Sequence, residues 1–184
     1  MTLQTRKQRF LRAVNIDAND ANAKEQAISN CLRAAFGRNP TYTVPTQGRK
    51  SFHNAFGNEL RTRSKKYQDG ITEDAHIRII ESIANDLSER YGSILQNECL
   101  RIGTVQKALN LYLKIIWCID PNWATPPHCP IDRIVLRAAH LYGNWTQLDT
   151  IEEYKDWVSK LRTYALSTGY SSLAEWELYI WNHS

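Results

Sequence analysis

The sequence predicts an all-α protein, a single compact domain of several helices with a less regular and basic N-terminal region. Apolar residues recur at the 3.6-residue period of an α-helix over most of the chain. Capping residues stand at the predicted helix starts, and glycine or proline stands at most of the predicted ends. No pair of alternating segments indicates a β-sheet. We expect residues 1–70 to form a helical and loop region and residues 71–184 to form the helical core of one domain.

The first 70 residues have the weaker helical pattern. Residues 1–22 are rich in Asn, Asp and Ala and predict only a short helical start. Residues 24–36 follow the helical period, and a glycine ends them. Proline and glycine residues predict a loop over residues 38–50, and residues 52–60 predict a helical turn that a glycine interrupts.

The remainder of the chain has the stronger helical signals. Thr72, Thr150 and Ser172 are each followed by acidic residues in the first predicted turn, which is the pattern of a capped helix start. Thr104 is a candidate cap for the most apolar helix. The predicted helices cover residues 73–91, 93–101, 105–119 and 131–142, then 151 to near Gly169, and 173 onward.

The composition is that of an ordinary folded domain. Hydrophobic residues make up 42% and charged residues 23% of the 184 residues, which argues against disorder. No apolar run is long enough to span a membrane, and the N-terminus lacks the pattern of a secretory signal, so we expect an intracellular protein with no membrane partner. The four cysteines include no C-x-x-C pair, which predicts neither a disulfide framework nor a metal site.

Positive charge is concentrated between residues 49 and 66, the segment called here the basic segment. It contains one acid, Glu59, and six basic residues: Arg49, Lys50, Arg61, Arg63, Lys65 and Lys66. Such charge attracts nucleic acid through counterion release, without sequence specificity. A solvated basic loop with no ligand explains the pattern equally well, so both interpretations stay open.

The most informative chemistry begins in a helix that is apolar nearly all round. Residues 105–119 predict a helix in the middle of the fold, yet Lys107 and Lys114 interrupt it, seven residues apart and on one face. A buried ammonium group requires a partner or an opening to water. Burial also lowers the pKa of a lysine and makes its amine nucleophilic near neutral pH. The alternative for Lys107 is a solvent-facing lysine near a helix end.

Asp132 begins a second strongly apolar helix after a proline-rich loop. A carboxylate can stabilise the positive charge that develops on a sugar when an N-glycosidic bond breaks, although helix capping explains most Asp residues at such positions. Trp123, in the loop, is a candidate surface for stacking a base, and a core or interface tryptophan is the alternative. His128 is a candidate contact to a phosphate or a base, and a loop histidine with no role is the alternative.

These features, in this order, resemble the helix-hairpin-helix DNA glycosylase superfamily, and most closely its archaeal 8-oxoguanine glycosylase branch. The segments that carry the resemblance are residues 102–110, IGTVQKALN, and residues 130–137, PIDRIVLR. They share a glycine-containing turn, a lysine early in a buried helix, and a proline-rich approach to a hydrophobic-Asp-x-hydrophobic helix start. The clear part of the resemblance covers about 35 residues.

The resemblance implies a reaction and a set of DNA contacts. It implies that a hairpin at Gly103 and Thr104 grips the phosphate backbone. It also implies that Lys107 attacks C1′ of a flipped nucleoside while Asp132 assists. Further candidate contacts to substrate or DNA are Lys114, Trp123, His128 and Arg133, together with the six basic residues of the basic segment.

The sequence therefore leads to the hypothesis of a base-excision DNA glycosylase, with or without abasic-site lyase activity. Its partner is double-stranded DNA that contains a damaged or modified base. We expect no cofactor, no metal and no iron–sulfur cluster, and a monomer is favoured. The alternative is a non-catalytic helical domain that binds nucleic acid or protein.

Overall fold

The computed structural model describes residues 1–37, 40–43 and 47–183, and it confirms the all-α class. Helix accounts for 69% of the chain, and the described ranges contain no strand. No helix within these ranges is long and apolar enough to cross a membrane. The helices are α1 (Leu3–Ala13), α2 (Ala23–Phe36), α3 (Arg49–Ser64), α4 (Glu73–Tyr91), α5 (Ile102–Ile119), α6 (Arg133–Ala138), α7 (Ile151–Ser167) and α8 (Leu173–Trp181).

Helix α5 is the centre of the fold. It is buried along nearly its whole length, as its apolar composition predicts. Helices α1, α2, α3, α4 and α7 all pack against it, and α8 packs against α1, α6 and α7. Residues on both sides of position 70 therefore contribute to one hydrophobic core, with Phe10 and Phe56 in the same cluster as Leu109 and Leu161.

The predicted capping residues begin three of the helices. The side chains of Thr72, Thr150 and Ser172 each accept a hydrogen bond from the backbone N–H three residues later. These contacts satisfy backbone donors that a helix start would otherwise leave unpaired. Local sequence therefore determines where α4, α7 and α8 begin.

The N-terminal region is more regular than the sequence predicts. The short helical start expected in residues 1–22 is wrong, because α1 runs for 11 residues after a Thr2 cap and buries Phe10 and Leu11. The interrupted turn expected at 52–60 is also wrong. Helix α3 continues through Gly57, where an added Cβ would lie 3.0 Å from Ile28, so the glycine permits close helix packing. Of the loop predicted over 38–50, residues 38, 39 and 44–46 lie outside the described residues.

Three of the predicted helices, the central one among them, differ in the structure. The helix expected over 93–101 is replaced by short 3-10 turns, because Asn97 and Glu98 adopt positive φ angles of 56° and 55°. Thr104 does not cap α5, which begins two residues earlier and includes Thr104 in its first turn. Helix α6 ends at Ala138 rather than residue 142, since His140 adopts a positive φ of 56°.

Candidate active site

Lys107 and Asp132 lie in direct contact. The Nζ of Lys107 donates a hydrogen bond to Oδ2 of Asp132 at 2.6 Å. Lys107 extends from the second turn of α5, and Asp132 is the N-cap of α6. The two side chains are 11% and 23% exposed, so they are largely shielded but accessible from one side. The structure thus brings together the amine and the carboxylate that the sequence singles out.

The two oxygens of Asp132 have separate partners. Its Oδ1 accepts hydrogen bonds from the backbone N–H groups of Ile134 at 2.9 Å and Val135 at 3.1 Å, while Oδ2 faces Lys107. Burial raises the pKa of Asp132, but the Lys107 ammonium and these hydrogen bonds outweigh it and lower the pKa overall. The carboxylate is therefore ionised at neutral pH. Capping and pairing with Lys107 are compatible roles of one side chain.

Gln106 fixes the backbone just before the carboxylate. Its Nε2 donates to the carbonyl of Ile131 at 2.8 Å, and its Oε1 accepts from the N–H of Ile131 at 3.0 Å. Gln106 and Lys107 are neighbours on α5, so one turn of helix holds both the amine and the segment that carries Asp132. Sequence reasoning missed Gln106. The available signal was a polar side chain in an otherwise apolar helix.

His128 belongs to a buried polar network rather than to the cleft. Its Nδ1 lies 2.7 Å from the hydroxyl of Tyr154, and its Nε2 lies 3.1 Å from Oε1 of Glu73. The Nδ2 of Asn110 donates to the same Tyr154 hydroxyl at 3.1 Å and, at 3.4 Å, to Oε1 of Gln106. Burial lowers the pKa of His128 despite the neighbouring Glu73 carboxylate. The side chain is enclosed and does not line the cleft, so the structure does not support the predicted contact of His128 with a phosphate or base.

Lys107 and Asp132 form part of the lining of an open cleft of about 780 Å³. This volume is within the range of roughly 300–1,000 Å³ found for small-molecule sites. The other lining residues are Arg33, Ala34, Gly37, Arg133, Ile134, Gly143, Asn144, Trp145 and Thr146. Arg33 and Arg133 give the cleft a basic rim that suits an anionic ligand. Of these residues, only Arg133 was selected from the sequence.

Gly103 and Thr104 pack inside the protein and form no exposed hairpin. The N–H of Gly103 donates to the carbonyl of Leu148 at 2.9 Å. An added Cβ at Gly103 would lie 1.8 Å from the carbonyl oxygen of Trp145, so only glycine permits this close approach. Thr104 is buried as well. The structure therefore does not support the predicted phosphate grip at these two residues. Gly103 instead lets Trp145, which lines the cleft, pack closely against α5.

Two further predicted contacts are also enclosed. The Nζ of Lys114 lies 2.6 Å from Oε2 of Glu177 and 4.0 Å from the centre of the Phe10 ring. Both members of this ion pair are buried, and Lys114 does not line the cleft, so the structure does not support its predicted contact with DNA. Trp123 is buried and does not line the cleft, so the structure does not support the predicted stacking surface there either.

The basic segment lies apart from the cleft, and part of its charge is paired. Arg61 forms an ion pair with Glu25 at 2.7 Å, while Arg63 pairs with Glu59 at 3.1 Å and with Asp86 at 2.9 Å. None of the segment's residues lines the cleft. Arg49 lies over the Tyr42 ring, 4.2 Å from its centre, and Lys50, Lys65 and Lys66 are exposed. Their role as DNA contacts stays a prediction.

Comparisons with models of protein families, with curated proteins and with solved structures found no match to this chain.

In the described ranges, no group of three or more His, Cys, Asp or Glu residues is placed to hold a metal ion. Cys31, Cys118 and Cys129 are buried, and burial raises the pKa of the Cys118 thiol to about 12. A thiol of that pKa is a poor nucleophile, and no cysteine lines the cleft.

Proposed function

We propose that this protein is an intracellular DNA N-glycosylase in which Lys107 is the nucleophile and Asp132 is the assisting carboxylate. The observation that supports the proposal is the 2.6 Å contact between Nζ and Oδ2 within an open, basic-rimmed cleft. An amine beside an ionised carboxylate, shielded on most sides, is suited to attack on a sugar carbon followed by stabilisation of positive charge. The two segments that resemble the helix-hairpin-helix glycosylases carry this amine and this carboxylate, although Gly103 lies within α5 and not in a hairpin.

The first step moves one proton and exchanges one bond. The Nζ of Lys107 donates a hydrogen bond to Asp132, so the amine must release a proton before it attacks. Oδ2 of Asp132 is the acceptor within reach. The nitrogen of Lys107 then bonds to C1′ as the bond from C1′ to the base breaks. The base leaves with the bonding electron pair and takes the proton from Asp132, which is again an anion beside the cationic product.

A second step would give the protein lyase activity. Opening of the sugar ring breaks the C1′–O4′ bond, gives O4′ a proton and leaves C1′ doubly bonded to the nitrogen of Lys107 as a protonated Schiff base. Loss of a C2′ proton then expels the 3′ phosphate by β-elimination. Because borohydride reduces the Schiff base to a stable amine, this intermediate can be trapped as a covalent protein–DNA complex.

The test is borohydride trapping on duplex DNA that contains an abasic site, together with base release from a panel of modified bases. We expect the wild-type protein to form a covalent complex and Lys107→Gln to form none. Lys160→Gln is the matched control, since Lys160 is a half-exposed lysine of α7 that is ion-paired with Asp156. Absence of both trapping and base release in the wild-type protein would refute the proposal.

Nucleic-acid binding without chemistry is the second candidate function. The observation that favours it is the set of exposed lysines in the basic segment, which lies outside the cleft. In that case binding falls steeply with salt concentration and survives replacement of both Lys107 and Asp132. Loss of trapping without loss of binding in Lys107→Gln would support the glycosylase instead.

A further inference from the structure

A continuous chain of side-chain hydrogen bonds, called here the polar chain, links the protein surface to the backbone just before Asp132. The proposed chemistry makes no use of it. At the surface end, the partly exposed Glu73 lies 3.1 Å from Nε2 of the buried His128. From there the polar chain runs, in order, through Tyr154, Asn110 and Gln106 to Ile131.

The cleft end of the polar chain fixes the orientation of two amides. Gln106 directs its oxygen to the N–H of Ile131 and its nitrogen to the carbonyl of the same residue. That oxygen faces Nδ2 of Asn110 at 3.4 Å, so Asn110 also presents its NH₂ group to the hydroxyl of Tyr154, at 3.1 Å. The hydroxyl oxygen of Tyr154 therefore accepts from Asn110, and its proton is directed to the neighbour on the other side, Nδ1 of His128.

The surface end of the polar chain fixes the tautomer of His128. The hydrogen bond with His128 lowers the pKa of Glu73, and an ionised carboxylate only accepts hydrogen bonds. Nε2 of His128 therefore carries a proton, and Nδ1 accepts the hydroxyl proton of Tyr154. Both ends of the polar chain thus require the same neutral histidine.

The titratable and charged groups that face His128 come from α4 and α7 and are Glu73, His76, Tyr154 and Arg162. Burial lowers the pKa of His128, the Glu73 carboxylate raises it, and the Arg162 guanidinium lowers it. Burial and then the charge of His128 lower the pKa of His76 well below 6.5. As the pH falls, His128 therefore takes up a proton before His76 does.

We propose that His128 is a positioning residue for Asp132, and that uptake of a proton by His128 separates the Asp132 carboxylate from Lys107. This inference rests on the proposed function, because it takes Asp132 as the carboxylate that assists the reaction. A proton on Nδ1 makes that nitrogen a hydrogen-bond donor. The hydroxyl of Tyr154 then accepts from Nδ1 and no longer donates to it.

The remaining donors and acceptors pass this change to the cleft. The hydroxyl of Tyr154 turns its proton toward the NH₂ group of Asn110, where two donors face each other. The amide of Asn110 reverses to accept that proton, which brings its oxygen against Oε1 of Gln106. Two facing acceptors repel, so Gln106 loosens its hold on Ile131, and Asp132 moves as the next residue.

The test is a pH titration of the isotope-labelled protein, followed by NMR from about pH 7.5 to 4.5. We expect the N–H signal of Ile131 and the carboxyl carbon signal of Asp132 to shift with the midpoint of the His128 ring, below 6.5. The pKa of Asp132 is itself lowered from 3.8, so its own titration lies outside this range. In Tyr154→Phe, which lacks the hydroxyl, the His128 ring still titrates but neither signal follows it. His140→Gln, which removes an exposed histidine, is the control and keeps the coupled shifts.

Two variants at the surface end are expected to move the shared midpoint in opposite directions. Glu73→Gln removes the charge that raises the pKa of His128, so the midpoint moves to lower pH. Arg162→Gln removes a charge that lowers this pKa, so the midpoint moves to higher pH. Asp74→Asn, which removes an acid from the same first turn of α4, is the matched control and leaves the midpoint unchanged.

The outcomes separate the polar chain from the proposed chemistry, because the NMR measurement requires no DNA. Ile131 and Asp132 signals that ignore the titration of His128, or that still follow it in Tyr154→Phe, would overturn the positioning role and leave the proposed function standing. If Tyr154→Phe does not fold, the surface variants decide, and a midpoint at Ile131 that does not move with that of His128 would overturn the role. Coupled titration in a protein that neither traps DNA nor releases a base would support the coupling and overturn the proposed function alone.

Discussion

The contact between Lys107 and Asp132 predicts a coupling energy that a double-mutant cycle can measure. Asp132→Asn removes the charge but keeps an oxygen that accepts the N–H groups of Ile134 and Val135, so the helix cap is retained. Lys107→Met keeps the length of the side chain and removes the ammonium. A charged hydrogen bond contributes ~1.5–3 kcal/mol, and water still reaches part of both side chains, so we expect a coupling of about 2 kcal/mol.

The assay is urea unfolding of the wild type, the two single variants and the double variant near neutral pH. The pair of Lys160 and Asp156 provides a control cycle, because both side chains are about half exposed and such pairs couple by only ~0.3–0.5 kcal/mol. A Lys107–Asp132 coupling no larger than that control would refute the contact in solution. The mechanism based on the contact would then be refuted as well.

Two further predictions concern the surroundings of the site. Gln106→Met leaves the backbone N–H and carbonyl of Ile131 unpaired, just before the carboxylate. We expect trapping on abasic DNA to slow by about tenfold or more and the free energy of unfolding to fall by ~2–4 kcal/mol. Trapping at the wild-type rate would contradict a positioning role for Gln106. Burial lowers the pKa of His76 and His128 below the ordinary 6.5, so their contribution to stability is complete above that pH and is lost as the pH falls through their folded-state pKa values. Urea unfolding between about pH 7.5 and 5.5 should show decreasing stability, and a flat or rising profile would contradict this.

Helix starts were predictable because they depend on neighbouring residues. A side chain such as that of Thr72 reaches backbone donors only three positions away, so sequence contains the whole interaction. The burial of α5 was equally predictable, since a helix that is apolar nearly all round has no face suited to water. The same local rules failed at Gly57, where a residue that usually weakens a helix is required by the packing of α3 against Ile28.

Most residues that line the cleft were missed for a different reason. Arg33 and Asn144 come from the end of α2 and from the loop after α6, and neither is marked by a local motif. Trp123 and His128 were predicted to contact the substrate because they lie in a predicted loop. Both are buried by helices that are distant in sequence.

The sequence by itself determined that two lysines lie on one face of the central helix and that a carboxylate begins a later one. It did not distinguish Lys107 from Lys114, because the two lysines are seven residues apart on one helix and both have mainly apolar neighbours in the sequence. Tertiary packing decided the matter. Side chains from α1 and α8 enclose Lys114 with Glu177, whereas the segment at 143–146 stops short of covering Lys107 and leaves its amine at an open cleft. Access to solvent depends on which distant elements cover a side chain, and no local pattern specifies that.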